Sequence, residues 1–147
     1  MIEVQALTRT FGDAVAVKGV SFSVAPGELL VLVGGSGSGK TTTLKMINRL
    51  IEPSSGTVLI DGVNAATITG HTLRRRIGYV FQKVGLFPHM SVAANIATPL
   101  RLIDEDPERI RQRVADVLEL MELPASFIDR YPAELSGGQQ QRVGVAR

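Results

Sequence analysis

The sequence predicts an α/β fold, and three observations carry the prediction. A continuous apolar run of strand length, Leu29 to Val33, leads directly into a glycine-rich turn, Gly34-Gly35-Ser36-Gly37-Ser38-Gly39-Lys40-Thr41. That turn leads directly into a helical run, Lys40 to Ile51, with Leu44, Ile47 and Ile51 spaced to share one face. Short alternating segments flank this core, and two further helical runs lie between residues 91 and 121.

Taken in order, Ile2 to Leu7 reads as a strand. A second follows, with Val15, Val17, Val20, Phe22 and Val24 as its apolar positions. Pro26-Gly27 reads as a turn. Leu29 to Val33, apolar throughout, is expected to be a strand buried on both faces. The helix from Lys40 is ended by Glu52-Pro53-Ser54-Ser55-Gly56, and Thr57 to Ile60 is a strand closed by Asp61-Gly62. Ile77 to Phe81 is a further strand running into Gln82. Ser91 to Leu100 and Pro107 to Met121 read as helices, the second with Asp106 as N-cap and Pro107 at its first position. Its apolar stripe is Ile110, Val114, Val117, Leu118 and Met121. The expected organisation is an α/β core over 1–85 that contains the glycine-rich turn, a helical subdomain over 86–135, and a last segment over 136–147.

Composition sets bounds. At 147 residues, 44% hydrophobic and 20% charged, the chain can bury a core, and its net charge of +2 is spread along its length. The pI of 9.3 is therefore a small imbalance and makes no case for nucleic acid as a partner. With no cysteine, disulfides and thiolate metal sites are excluded. No signal peptide is visible at Met1-Ile2-Glu3-Val4, and no apolar run approaches the roughly 20 residues that span a bilayer. His71 and His89 have neither the spacing nor the partner ligands of a metal site.

The turn at 34–41 has the spacing G-x-x-x-x-G-K-[ST], a P-loop. Glycines allow successive backbone N–H groups to turn inward toward phosphate oxygens, which side chains would obstruct. Lys40 brings a point charge to the β- and γ-phosphates, the Thr41 hydroxyl can ligate Mg²⁺, and Thr42 can donate to the α-phosphate. A glycine-rich surface turn is the alternative, but the spacing arises by chance in well under about 1% of chains this long. The strand-to-helix setting is also the one the motif requires. No Asn-Lys-x-Asp guanine reader occurs, so ATP is favoured over GTP.

Leu135-Ser136-Gly137-Gly138-Gln139 places a hydroxyl and free N–H groups where another helix is about to start. Alone, this is as readily an intramolecular helix cap. Beside a P-loop, it reads as a second phosphate cradle, and one nucleotide needs only one. The second would serve a nucleotide held by another copy, which implies a dimer.

P-loop and Leu-Ser-Gly-Gly-Gln string together resemble the ATP-binding-cassette (ABC) transporter ATPases, over essentially the whole chain and in the family's order. Their fold is a P-loop NTPase core with an N-terminal antiparallel β subdomain and an α-helical insert. By resemblance, Phe11 is the aromatic that stacks on adenine, and Gln82 is the Q-loop residue that meets Mg²⁺ or the attacking water. Lys40 and Gln82 become the candidate catalytic residues. The cofactor-binding set is Phe11, Gly34, Gly35, Ser36, Gly37, Ser38, Gly39, Lys40, Thr41, Thr42, Ser136, Gly137, Gly138 and Gln139, with Thr41 and Gln82 toward Mg²⁺.

Thr41 to Pro53, Gly85 to Met90, Arg130-Tyr131-Pro132 and Gln139 to Arg147 resemble, more narrowly, importers of glycine betaine, choline and related osmoprotectants. The resemblance implies a head-to-tail homodimer with two ATP molecules at its interface. It also implies a peripheral place on the cytoplasmic face of the inner membrane and an indirect link to a substrate-binding protein. Leu86, Phe87, Pro88, His89 and Met90 would line a groove for the membrane permease. The family's Asp-Glu strand end and switch histidine, which it places after the signature helix, have no counterpart before Arg147. The chain is thus expected to be truncated before the Walker B strand. It should bind nucleotide without the hydrolytic machinery, and it should expose unpaired apolar edges. Phe11 and the 86–90 cluster could instead be core filler and Gln82 a polar strand end, while Arg74-Arg75-Arg76 reads as a solvated helix face, with permease or lipid-headgroup contact as the alternative. Arg109, Arg111 and Arg113 read as solvent-side charge. Two rival functions stay open: a non-transport ATPase of the same family, and a nucleotide-binding module without catalysis.

Overall fold

The computed structural model describes residues 1–147, which divide into two compact units, Met1–Tyr79 and Val80–Arg147. In the first, an antiparallel sheet runs in the order β2-β1-β3-β4, from β1 (Ile2–Phe11), β2 (Ala14–Val24), β3 (Ser55–Ile60) and β4 (Val63–Asn64). Helices α1 (Lys40–Ile47) and α2 (Gly70–Arg76) complete it. Alternation along the strands, with the register shift between Val4 and Leu7 turning both to one side, sends Val4, Leu7, Val17 and Val58 to a buried cluster with Met46, Ile47, Ala65 and Leu73. The predicted antiparallel N-terminal strands are present and longer than expected. β1 reaches Phe11 because register shifts between Val4 and Thr10 let it bend and stay paired. One such bend has Ala6 at φ 49 beside Gly56 at φ +89, where a Cβ on Gly56 would lie 2.4 Å from the Ala6 carbonyl oxygen. Only glycine fits there.

Both predicted turns form. At Pro26-Gly27, the Glu28 N–H donates to the Ala25 carbonyl at 3.1 Å, with Gly27 at φ +76. Asp61-Gly62, both at positive φ, joins β3 to β4 as a two-residue hairpin turn.

Three expectations about residues 29–81 are corrected. Helix α1 ends at Ile47, not Ile51. Arg49 takes φ 47, its N–H donates to the Met46 carbonyl, and the Leu50 N–H reaches back to the Lys45 carbonyl at 2.8 Å. This pairing closes a helix with a left-handed residue just past the cap. The buried face of α1 is Thr43, Met46 and Ile47, whereas Leu44 is half exposed. Finally, Leu29–Val33 and Ile77–Phe81 form no strand. Leu29 is 86% and Val33 90% exposed, because no strand of the four-stranded sheet pairs with either segment. A run buried on both faces needs neighbours on both edges, and these residues supply none.

The second unit is helical: α3 (Val92–Arg101), α4 (Pro107–Leu120) and α5 (Gly137–Ala146), with short 3₁₀ turns at 125–127 and 132–134. Asp106 caps α4 as expected, accepting from the N–H groups of Glu108 at 2.9 Å and Arg109 at 3.2 Å. The stripe read from α4 is its core face. Val114, Val117 and Leu118 are buried with Val92, Ile96, Phe127, Leu135 and Val143, while Ile110 and Met121 pack against them. Arg109, Arg111 and Arg113 face solvent, and Arg111 pairs with Glu108 one turn back.

Candidate functional site

The turn 34–39 is shaped by two glycines in left-handed geometry, Gly37 at φ +80 and Gly39 at φ +86. A Cβ on Gly39 would lie 2.5 Å from the Ala16 carbonyl oxygen and 3.0 Å from a Val17 methyl, so the turn rests directly on β2. Gly34 is less constrained, since its would-be Cβ, 2.7 Å from Ser38 Oγ, meets a side chain that can rotate away. The Lys40 ammonium folds back over the turn, donating to the Gly34 and Gly35 carbonyls at 2.7 Å each and to Ser38 Oγ at 3.0 Å. Three acceptors hold the charge at the mouth of the turn.

Helix α1 begins here. The first bond of its ladder is from the Thr43 N–H to the Gly39 carbonyl at 2.8 Å, doubled by Thr43 Oγ1 at 3.0 Å. The N–H groups of Gly39, Lys40, Thr41 and Thr42 precede that bond and have no partner within the helix. Those four residues, with Ala16, Gly37 and Ser38, line a cavity of about 160 Å³. The volume is well short of the roughly 300–1,000 Å³ of a whole small-molecule site. It suits a phosphate chain, with the rest of a nucleotide lying outside. Ala16 was not legible in the motif. It lies more than 20 residues before Lys40 in sequence, and only the folding of β2 under the turn brings it in.

No group of three or more His, Asp or Glu side chains comes together as a metal site. Of the three hydroxyls in the cavity lining, Ser38, Thr41 and Thr42, Thr41 is the one the motif assigns to a divalent ion. That suits Mg²⁺, which keeps several waters and is carried largely by substrate phosphates.

Phe11 ends β1, is 47% exposed and carries the Arg9 guanidinium 4.5 Å from its ring centre. It is not core filler. The P-loop and Phe11 belong to the first unit, whereas Gln82 and the serine-glycine string belong to the second. Gln82 is exposed and lies in a bend. Ser136 caps α5, in a reciprocal box. Its Oγ accepts from the Gln139 N–H at 3.4 Å, and its own N–H donates to Gln139 Oε1 at 2.9 Å. The cap is thus satisfied within the chain, as the alternative reading allowed. Gly137 and Gly138 are exposed, with nothing within 4 Å of a would-be Cβ on either.

Leu86 to Met90 is mostly open to solvent, with Phe87 and His89 ring centres 6.0 Å apart. Its anchor, Asn95, was missed from sequence. That side chain is fully buried, and Oδ1 accepts from the Phe87 N–H at 2.8 Å. Its Nδ2 donates to the carbonyls of Phe87, Met90 and Ser91 at 3.0–3.1 Å. An asparagine inside an apolar helical face was the available signal.

A P-loop closing on a helix N-terminus, with an Ala16-backed cradle, defines a nucleotide-binding protein of the P-loop class. The family model described as "ABC transporter" matches residues 17–147, and the chain belongs to that family. It aligns end to end at 46% identity with the glycine betaine/carnitine/choline transport ATP-binding protein OpuCA of Bacillus subtilis, covering 39% of that protein. At 50% identity it aligns with the osmoprotectant import ATP-binding protein OsmV of Salmonella typhimurium, covering 40%. The chain therefore spans about two fifths of the length of these relatives. Its fold matches MJ0796, a bacterial ABC transporter cassette whose solved structure is dimeric. The TM-score is 0.89, with 36% identity over 99% of this chain and 68% of that one.

Proposed function

We propose that these residues are the ATP-binding part of the energy-coupling subunit of an importer for an osmoprotectant such as glycine betaine or choline. The observation that carries this is the cradle at Gly37–Thr42, a phosphate-sized cavity lined by Lys40 and by the four residues whose N–H groups have no partner within the helix. The solute class rests on the names of the relatives.

Lys40 exchanges its own carbonyl acceptors for phosphate oxygens, and the α1 N-terminus adds its positive dipole end. Phe11 offers a π-face to the adenine, which stacks without reading base identity. Thr41 and Gln82 are the candidate Mg²⁺ contacts. The ion, carried by the nucleotide, would offset phosphate charge. Exposed Ser136-Gly137-Gly138 is available to a nucleotide held by a second copy in a head-to-tail dimer, as the dimeric relative suggests. Leu86 to Met90 faces the permease, and the subunit sits peripherally on the cytoplasmic face of the inner membrane. No carboxylate lines the P-loop cavity, so residues 1–147 bind Mg-ATP without turning it over.

The test is Mg-ATP binding and hydrolysis by this chain beside Lys40→Ala. A charge-assisted contact is worth about 1.5–3 kcal/mol, so the substitution should weaken binding about ten- to hundredfold. Turnover is expected to be at background for both. Equal affinity in the two proteins would remove the P-loop from the reading. Lys40-dependent turnover would require a general base within these residues. Recovery of the intact subunit with a membrane permease separates the importer from a non-transport ATPase.

A further inference from the structure

The C-terminal end of α5 is tied to the loop that leads into Leu86–Met90 by two separate contacts. The Arg147 guanidinium donates to the Gly85 carbonyl at 2.8 Å and lies 5.2 Å from the Phe87 ring centre. One turn earlier, Gly144 meets the loop closely enough that a Cβ would fall 2.8 Å from a Val84 methyl. Val143, the residue before Gly144, is fully buried in the helical core, so this part of the helix is anchored. On the loop's other side, Asn95 fixes the backbone of Phe87 and Met90. The loop is thus clamped between α3 and the end of the helix whose start carries Ser136-Gly137-Gly138.

We propose that Arg147 and Gly144 are positioning residues that lock the 84–90 loop to α5. A displacement at the glycine-rich start of the helix then moves the exposed Phe87 as part of one rigid piece. The inference rests on the reading of Leu86–Met90 as the permease-facing surface, and it adds the route by which nucleotide engagement would reach that surface. Residues Ser136 and Phe87 lie at the two ends of it. The reason is geometric. A ten-residue helix is about 15 Å long and stiff along its axis, and a guanidinium that both hydrogen-bonds and stacks restrains two degrees of freedom of the loop at once.

Amide hydrogen exchange on this chain tests the lock directly. Arg147→Ala should speed exchange across 84–90 by about fivefold or more, the factor one lost hydrogen bond gives, while α4 amides keep their rates. Unchanged loop exchange would overturn the proposal. Should Arg147→Ala loosen the whole unit, the unsubstituted chain decides. The Arg147 side-chain N–H protons should carry a ring-current shift that Phe87→Leu abolishes, and its absence would overturn the contact. In the intact subunit assembled with its permease, Arg147→Ala should leave nucleotide affinity unchanged but lower permease-stimulated turnover about fivefold or more. Arg147→Lys, which keeps the charge and a donor, should restore part of it. Full stimulation in Arg147→Ala would refute the coupling. If the unsubstituted subunit shows no stimulation by any permease, the docking reading fails, while the exchange result still decides the lock.

Discussion

Gly39 concentrates several demands in one residue. It holds φ +86, lies against the Ala16 carbonyl and ends the turn on which Lys40 folds back. Gly39→Ala combines left-handed strain with a backbone clash, which together should cost about 2 kcal/mol or more. Lower urea stability and loss of Mg-ATP binding are the expected readings. Arg49 is the opposite case, a non-glycine at φ 47. Its side chain holds it there, donating to Glu52 and to the carbonyls of Ala65 and Ile68. Arg49→Ala should destabilise by about 2 kcal/mol, since the lost bonds are charge-assisted and partly buried. Asp61 gives a pH signature. A hydrogen bond from the Met1 ammonium at 2.7 Å, then that ammonium's charge, and more weakly Arg76, hold its carboxyl below the ordinary 3.8. A carboxyl lowered on folding adds stability above its unfolded value and loses it as pH falls through the folded one. The fully exposed pair contributes little. Acid titration of stability should still show a shallower decline below about pH 4 in Asp61→Asn.

Among the elements, α3 depends on a single polar side chain. Asn95 makes all its bonds to the 87–91 backbone from a fully buried position. Asn95→Ala would strand buried backbone groups as well as open space, and about 3 kcal/mol or more is expected. Asn95→Asp keeps the acceptor for Phe87 N–H but loses three donations and buries a charge, so it should be no better tolerated. Chemical denaturation of both variants checks the ranking. For α5, reciprocal capping by Ser136 and Gln139 explains how the helix can start with two exposed glycines.

At the scale of the whole chain, the unpaired apolar residues of 29–33 matter most. Leu29, Val31 and Val33 are exposed in the run leading to the P-loop. Exposed apolar residues with unpaired backbone associate. The 147-residue chain should therefore form concentration-dependent oligomers by light scattering. The double substitution Val31→Lys, Val33→Lys should shift it toward monomer without altering the α4 core. An unsubstituted chain that stays monomeric at high concentration would show this segment to be covered in solution.

Sequence alone determined what depends on near neighbours. The P-loop spacing, the Asp61-Gly62 turn, the Asp106 cap and the apolar stripe of α4 are all set by residues within a few positions of one another. Their local physics survives whatever surrounds them. Tertiary structure decided what depends on a distant partner. Leu29–Val33 has the composition of a buried strand but stays unpaired, because strand formation is a property of two edges and no neighbouring strand is present. Which face of α1 is buried followed from the sheet beneath it, not from the helix's own apolar count. Ala16 under the P-loop, Asn95 under the 86–90 loop and Arg147 over Phe87 are contacts across gaps in sequence that no local pattern encodes. Chain folding alone closes those gaps.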